Sequence, residues 1–261
     1  MSAPTLVAGP ATGKGTPPYG EGTAGPPYDY ATELMGGDGT LISLPDQAMI
    51  TRTEHGYLFR AGQQDTHLVV TLTEEGLRFE DTGTDRFKRI ARACRSEEVA
   101  VGVAAVCRVP SGISTAAPLL VEVWPRLGDD HVDGSSLPAT VAMTVLSDAG
   151  HDVALLGAGP DFFNGFTGRD EVWGGDGNDW IRTGQDADQV WGGAGDDQLV
   201  GTDGRDTMYG EDGDDLVGGG AGSDQLDGGP GSDTVRCDGG ADIAWTDGAD
   251  RLRGCEQVHQ T

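Results

Sequence analysis

Carboxylates recur at a fixed spacing in the C-terminal part of this 261-residue chain. Read as consecutive nonapeptides from Ser147, the sequence has glycine at the fourth position of ten repeats, with Asp186 as the exception, and an apolar residue at every eighth position. The sixth position is aspartate in all eleven repeats. Because carboxylate oxygens are hard ligands, this regularity predicts cation binding. These aspartates are Asp152, Asp161, Asp170, Asp179, Asp188, Asp197, Asp206, Asp215, Asp224, Asp233 and Asp242.

The acidic residues also dominate the charge of the chain. Asp and Glu number 43 against 17 Lys and Arg, a formal net charge of −26, and residues 147–261 hold 25 of the acids and 6 of the bases. Such a charge repels phosphate backbones and anionic membrane surfaces, so we expect no nucleic-acid partner. No apolar run approaches the roughly 18 residues that span a bilayer, so we also expect no membrane insertion.

The repeat resembles the GGxGxDxUx nonapeptide of the RTX family, the haemolysin-type calcium-binding repeats. The resemblance is specific because three positions recur in phase over eleven copies. It implies an all-β fold with a C-terminal parallel β-roll, in which six residues form a metal-holding turn, three form a strand and two nonapeptides complete a coil. It also implies several bound Ca²⁺ ions, with the sixth-position aspartates as metal ligands. Glycine at the turn supplies a positive φ without steric cost.

In an 18-residue coil, loops that are 18 residues apart stack about 4.8 Å apart, so aspartates on one edge can share an ion. The edge with the best-formed loops contains 174–179, 192–197, 210–215 and 228–233. The other edge is weaker at 183–188, where Thr183 and Asp186 replace glycines. A solvated acidic repeat without metal is the alternative, but unneutralised carboxylates at this spacing repel one another. The expected pairs are Asp179 with Asp197, Asp197 with Asp215, and Asp215 with Asp233.

No motif predicts catalysis. GPATGKGT at 9–16 departs from the spacing of a phosphate-binding loop, and GISTA at 112–116 ends in Ala where a nucleophile elbow has Gly. The five histidines never form the H-E-x-x-H zinc motif. We therefore predict no catalytic residues and no enzymatic activity. A hydrolase with its site in the N-terminal region is kept as an alternative.

Three regions differ in composition. Residues 1–30 are rich in Pro and Gly and predict a flexible arm. Residues 31–146 are β-rich, with a hairpin turn near Gly76, and we expect them to run into the first coil and cap it. Residues 147–261 form the predicted calcium-binding β-roll with a C-terminal cap. The stretch GYLFRAGQQDTHLVVTL, followed by paired cysteines and repeats, is also similar to the N-terminal regions of secreted actinobacterial calcium-binding repeat proteins.

Four cysteines fall into two local pairs, Cys94 with Cys107 and Cys237 with Cys255. The second pair is separated by one coil, which places its α-carbons about 5 Å apart and within disulfide range. Disulfides and millimolar calcium both favour an extracellular, secreted or surface-associated location. Free buried thiols are the alternative. The first residues, from Met1, show no signal peptide, so the sequence leaves the export route open.

These features predict an extracellular β-roll protein that is folded by Ca²⁺ and acts as a structural or binding module without catalysis. An adhesion or assembly component of a cell surface or phage particle is the alternative. Ninth positions of alternate repeats carry Trp173, Trp191 and Tyr209, which we expect to stack on one outer face. This stripe is a possible face for a protein or glycan partner. It is also explained by aromatic stacking that stiffens the strands.

Overall fold

A computed structural model describes residues 47–62 and 64–260 of the chain. These two ranges form 23 β-strands and contain no helix, which confirms the all-β prediction. Within them there is accordingly no apolar helix that could cross a membrane. All of these residues belong to the unit Ser43–Thr261. The predicted flexible arm, residues 1–30, lies outside the described residues.

The strands form two sheets. In spatial order, the first sheet contains β5 (Arg86–Arg89), β1 (Gln47–Arg52), β2 (Gly56–Arg60), β8 (Leu119–Leu127), β10 (Val141–Ala149), β12 (Phe162–Thr167), β14 (Trp180–Gln185), β16 (Gln198–Gly204), β18 (Leu216–Gly222), β20 (Thr234–Gly240) and β22 (Arg251–Arg253). The second sheet contains, in the same sense, β6 (Cys94–Glu97), β7 (Val103–Cys107), β4 (Gly76–Asp81), β3 (His67–Thr73), β9 (His131–Asp133), β11 (Val153–Leu155), β13 (Glu171–Asp176), β15 (Gln189–Ala194), β17 (Thr207–Asp212), β19 (Gln225–Asp227), β21 (Ile243–Thr246) and β23 (Gln257–Gln260).

From β8 onward the chain winds as a parallel β-roll. Consecutive strands alternate between the two sheets, and each pairs in parallel with the strand two places further along the chain. Val172 pairs with Val190, and Val190 pairs with Met208, so the register advances by 18 residues per coil. The coil of two nonapeptides that the family resemblance implies is thereby confirmed.

The eighth positions form the interior of the roll. They are single apolar side chains that are at most 1% exposed, namely Ala154, Phe163, Val172, Ile181, Val190, Leu199, Met208, Val217, Leu226, Val235 and Ala244. Of the four fully buried aromatic residues in the described ranges, three lie nearer the N-terminus, where Tyr57, Phe59 and Phe79 pack together. Apolar packing is therefore thickest in the N-terminal region, and most strands of the repeats bury a single apolar side chain.

The first coil is built by the N-terminal region. Strand β2 pairs in parallel with β8, and β3 pairs in parallel with β9. Between β3 and β8 the chain leaves the roll to form β4 to β7, and the hairpin of β3 and β4 closes with Thr73 opposite Gly76. Antiparallel strands therefore cover the N-terminal end of the roll. The predicted hairpin is confirmed, whereas the sequence pattern does not reveal that one coil precedes this insertion.

The two sheets continue from the N-terminal region into the repeats. Strand β10 runs across the boundary predicted at 146/147, and it pairs with β8 on one side and β12 on the other. The boundaries themselves stay a prediction.

Both predicted disulfides are present. Cys94 and Cys107 are directly opposite each other on β6 and β7. Cys237 and Cys255 have α-carbons 5.0 Å apart and join β20 to the last coil. Each bond therefore fastens one end of the described fold.

Candidate metal centre

The sixth-position aspartates form two rows, one along each edge of the roll. Successive repeats place them on alternate edges, so neighbours in a row are 18 residues apart. All eleven are between 0 and 3% exposed, although carboxylates are rarely buried without a partner. One row contains Asp161, Asp179, Asp197, Asp215 and Asp233. The other contains Asp152, Asp170, Asp188, Asp206, Asp224 and Asp242.

Within each row, one carboxylate oxygen connects consecutive coils. The N–H of Asp179 donates to Oδ1 of Asp197 at 2.8 Å, and the N–H of Asp197 donates to Oδ1 of Asp215 at the same distance. Asp215 bonds to Asp233 in the same way, and so does every neighbouring pair on the other edge. The structure thus brings together the three pairs expected from the sequence. The bond runs from main chain to carboxylate, so one oxygen of each aspartate is already used.

Both rows extend beyond the regular repeats. The N–H of Thr66 donates to Oδ1 of Asp130, and the N–H of Asp130 donates to Oδ1 of Asp152, 22 residues further on. Asp130 was not among the predicted ligands, although it lies in the degenerate repeat RLGDDHVD at 126–133. At the other end, Asp250 accepts from Asp233, and Glu256 accepts from Asp242. These spacings of 17 and 14 residues differ from the 18-residue period, so the repeat pattern does not predict Asp250 and Glu256 as members of the rows.

The second carboxylate oxygen has no hydrogen-bond partner in ten of the eleven aspartates, and the same holds for Asp130. Buried polar atoms are nearly always bonded, so a row of unpartnered oxygens indicates a missing ligand. Asp161 is the exception. Its Oδ1 accepts from the N–H of Met143 at 2.6 Å, and its Oδ2 accepts from the N–H of Gly157 at 2.7 Å. Asp161 was predicted as a ligand, but here main-chain donors engage both of its oxygens.

Without a cation, these carboxylates are in an unfavourable environment. Burial, together with the charges of Asp152 and Asp188, raises the pKa of Asp170 to about 8, although the hydrogen bond from the N–H of Asp152 lowers it. Burial, together with the charges of Asp197 and Asp233, likewise raises the pKa of Asp215 to about 8. Burial and the charges of Asp161 and Asp197 also raise the pKa of Asp179. Each row therefore favours a positive charge, supplied either by protons or by a bound cation.

Main-chain oxygens converge on the unpartnered carboxylate oxygens. A Cβ built on Gly192 would lie 2.5 Å from Oδ2 of Asp197 and 2.6 Å from the carbonyl oxygen of Gly210 in the next coil. The same pairing of a carboxylate oxygen with a next-coil carbonyl surrounds the first-position glycines of four other loops, namely Gly165, Gly174, Gly201 and Gly210. We call the space beside the first-position residue, between the carboxylate Oδ2 and the next-coil carbonyl oxygen, the cradle of a loop. The polar atoms that border it in these loops are oxygens.

A cation in these cradles would depend on the main chain. In the part of the chain that the structure describes, no three His, Cys, Asp or Glu side chains converge to hold a metal. Ca²⁺ accepts carbonyl oxygens together with carboxylates, with 6–8 oxygen ligands at about 2.3–2.6 Å, whereas zinc prefers nitrogen and sulfur. The donor set therefore fits a hard cation such as Ca²⁺. The Oδ2 atoms and the neighbouring main-chain carbonyls are the groups that would hold it.

Comparison with known families identifies the segment that carries these rows. The family of the RTX calcium-binding nonapeptide repeat (4 copies) matches the chain in six overlapping stretches that together span residues 146–244. Residues 146–244 are RTX calcium-binding nonapeptide repeats. The suspected resemblance is confirmed, and the RTX repeats with their β-roll form a calcium-binding structural module. No curated protein and no solved structure matches the chain.

The aromatic residues of the RTX repeats lie where the ninth positions place them. Trp173 and Trp191 are stacked with ring centroids 4.7 Å apart and planes at 3°, and Tyr209 follows Trp191 at 6.0 Å and 16°. All three are half-buried. Trp173 and Trp191 border a groove of about 470 Å³ that also includes Asp176 and Glu211. The expected stacking on one outer face is therefore present.

The opposite sheet carries a different aromatic pair. Phe162 and Trp180, both at seventh positions, make an edge-to-face contact with centroids 5.2 Å apart. This pair was not predicted, because the sequence argument followed ninth positions alone. Only the face of Trp173, Trp191 and Tyr209 shows a run of parallel rings among the described residues.

Proposed function

We propose that this protein is an extracellular calcium-binding β-roll protein whose repeats fold when they bind Ca²⁺ and act as a structural or binding module without catalysis. The observation that carries this proposal is the pair of buried aspartate rows with unpartnered Oδ2 atoms. The RTX identity of residues 146–244 names the cation that such rows accept.

Coupling between metal binding and folding follows from the balance of forces in the repeats. Most strands of the repeats bury a single apolar side chain, and this burial stabilises the fold by less than the conformational entropy of ordering nine residues costs. Residues 147–261 also carry 25 acidic side chains against 6 basic ones. Without cations, the buried carboxylates repel one another and are poorly solvated. The free energy of calcium binding then contributes directly to folding.

Circular dichroism of the full chain in EDTA and in millimolar calcium tests this proposal. We expect the β-sheet signal of the repeats to be largely lost in EDTA and restored by calcium, while magnesium at the same concentration restores less because it requires tighter octahedral geometry. Isothermal titration calorimetry on the same samples measures the ions bound. An unchanged spectrum at low salt in EDTA, or no calcium binding, would refute the proposal.

An extracellular location is supported by the two disulfides, which persist mainly in oxidising compartments. Calcium sites of modest affinity also suit an environment with millimolar calcium. Absence of catalysis is proposed because the chemistry of the rows is that of oxygen ligands. A panel of hydrolase substrates assayed in calcium is the direct check, and turnover of any of them would contradict this part of the proposal.

A role in adhesion or assembly is the second candidate, and the stacked face of Trp173, Trp191 and Tyr209 favours it. Half-buried aromatic residues on a flat sheet are typical of protein interfaces. Because the rings are nearly parallel, ring faces within the stack are turned towards one another. Stacking on sugars needs exposed ring faces, so this geometry favours a protein partner over a glycan.

Isolation of the protein from its source in calcium-containing buffer tests this second role. Size-exclusion chromatography then reports whether the chain elutes within a larger particle. Replacement of both Trp173 and Trp191 by Ser should move the protein from the particle to the free fraction, while calcium-induced folding stays unchanged. Equal incorporation of this variant would contradict a role for the stacked face.

A further inference from the structure

The first residue of each repeat decides whether its cradle is open. Seven repeats begin with glycine, and four begin with Ser147, Leu156, Thr183 and Cys237. A Cβ on Gly192 would lie within 2.6 Å of two oxygens, which is closer than carbon approaches oxygen without bonding. Gly192 does not have a positive φ, so glycine is required there for space and not for its backbone conformation. A side chain at the first position therefore competes directly with anything held in the cradle.

Thr183 places such a side chain in the middle of one row. It is fully buried, and its Oγ1 lies 3.4 Å from the carbonyl oxygen of Gly201, the oxygen that would face the cradle of loop 183–188. On the same edge, the loops immediately before and after begin with Gly165 and Gly201 and keep open cradles. The interruption is therefore confined to one coil.

The loop that begins with Leu156, on the opposite edge, also has a buried first-position side chain. Leu156 is 2% exposed, and its loop contains Asp161, the aspartate whose two oxygens are both bonded to main-chain N–H groups. A first-position side chain thus coexists with a carboxylate whose two oxygens both accept main-chain hydrogen bonds. Loop 156–161 therefore satisfies its carboxylate with main-chain donors alone.

We propose that Thr183 closes a calcium site. Loop 183–188 stacks in the roll without an ion of its own, so the row of ions on that edge is interrupted between the loop that begins with Gly165 and the loop that begins with Gly201. This inference rests on the proposed function, since it presumes that open cradles hold Ca²⁺. The physical reason is steric. Calcium needs 6–8 oxygens at about 2.3–2.6 Å, and the Cβ and methyl carbons of Thr183 occupy space that those oxygens must reach.

Calcium binding by the full chain tests this with two variants at one position. Thr183→Gly should open the cradle and bind one more Ca²⁺ per chain than the unmodified protein, counted by isothermal titration calorimetry and by native mass spectrometry. Thr183→Val keeps the bulk and removes the hydroxyl, so its count should equal that of the unmodified protein. Loss of an ion in Thr183→Val would overturn the inference, because the hydroxyl would then be a ligand.

The reciprocal substitution closes an open site. Gly192→Thr on the opposite edge should bind one ion fewer, and circular dichroism at saturating calcium establishes that the roll is still formed. An unchanged count in Thr183→Gly would overturn the inference while leaving the proposed function intact. If the unmodified protein binds no calcium at all, the proposed function fails first, so the two failures are distinguishable.

Discussion

The backbone N–H of Asp197 donates a 2.8 Å hydrogen bond to Oδ1 of Asp215, one coil further along the chain, while Oδ2 of Asp215 is buried without a partner. The two oxygens of one carboxylate therefore have separate roles. Oδ1 fixes the stacking of successive loops and Oδ2 is left for a cation. Asp161 departs from this division because both of its oxygens accept main-chain bonds.

The substitution Asp215→Asn separates these roles. The amide oxygen of the new side chain would still accept the N–H of Asp197, but an NH₂ group would replace Oδ2 and cannot bind Ca²⁺. We expect at least one ion to be lost and the calcium concentration at half-folding to rise by about tenfold or more. Mutation of a residue that only hydrogen-bonds to a metal ligand already lowers metal affinity by about that factor. Calcium titration followed by circular dichroism measures both.

Asp161→Asn is the matched control for that variant. Its NH₂ group would face the N–H of Gly157, so we expect a loss of about 1–3 kcal/mol in the free energy of unfolding with no change in the number of bound ions. If Asp161→Asn loses an ion as Asp215→Asn does, the distinction between the two aspartates is wrong.

The β-roll was predictable because the resemblance to RTX repeats implies a coil of two nonapeptides. The nine-residue period then sets the 18-residue advance seen where Val172 pairs with Val190. Whether a given aspartate keeps an unpartnered oxygen for a metal was less predictable. Asp161 occupies the same repeat position as Asp179, and only three-dimensional contacts to Met143 and Gly157 distinguish them.

Stability should depend on pH in opposite ways with and without calcium. The pKa of Asp170 and of Asp215 is raised to about 8 in the folded chain, against an ordinary value of about 3.9. Between these values the metal-free fold binds more protons than the unfolded chain, so its free energy of unfolding falls as pH rises. Calcium requires ionised carboxylates, so its affinity should rise over the same range.

Two measurements check this pH dependence. Circular dichroism in EDTA should show less β-structure at about pH 8 than at about pH 5, and calcium titrations should give tighter binding at about pH 8 than at about pH 6. Asp161→Asn serves as a reference because its carboxylate lies outside the open cradles. A calcium affinity that is flat across this range would contradict the argument.

The disulfide Cys237–Cys255 should hold the last coil in place. It closes a separation of 18 residues between β20 and the residues after β22. Replacing both cysteines by Ser should lower the free energy of unfolding by about 3 kcal/mol on the loop-entropy model. It should also expose the amides of β22 and β23 to hydrogen exchange, because these strands have few buried side chains.

The other disulfide provides the control. Replacing Cys94 and Cys107 by Ser removes a bond between β6 and β7 at the opposite end of the fold, so protection of β22 and β23 should be unchanged. Identical exchange of β22 and β23 in both double variants would show that Cys237–Cys255 does not restrain the last coil.

The parts of the fold that the sequence pattern missed all break the period. The first coil is separated from the second by the insertion of β4 to β7, so no fixed spacing links Leu68 to its partner Val132. Asp250 and Glu256 end the two rows at spacings other than 18. Tertiary contacts, and not sequence periodicity, place these residues.

The stacked pair of Trp173 and Trp191 should report on folding of the roll. Their centroids are 4.7 Å apart with planes at 3°, so each indole has a fixed environment only when the coils stack. We expect a near-ultraviolet circular dichroism signal from these indoles in calcium, and its loss in EDTA. Trp173→Phe or Trp191→Phe alone should reduce the signal by more than Trp245→Phe does, because each removes one indole and the stacked neighbour of the other. Trp245 is the control, since it stacks on His259 and not on a second indole. Equal reductions in all three variants would show that Trp173 and Trp191 are not in contact in solution.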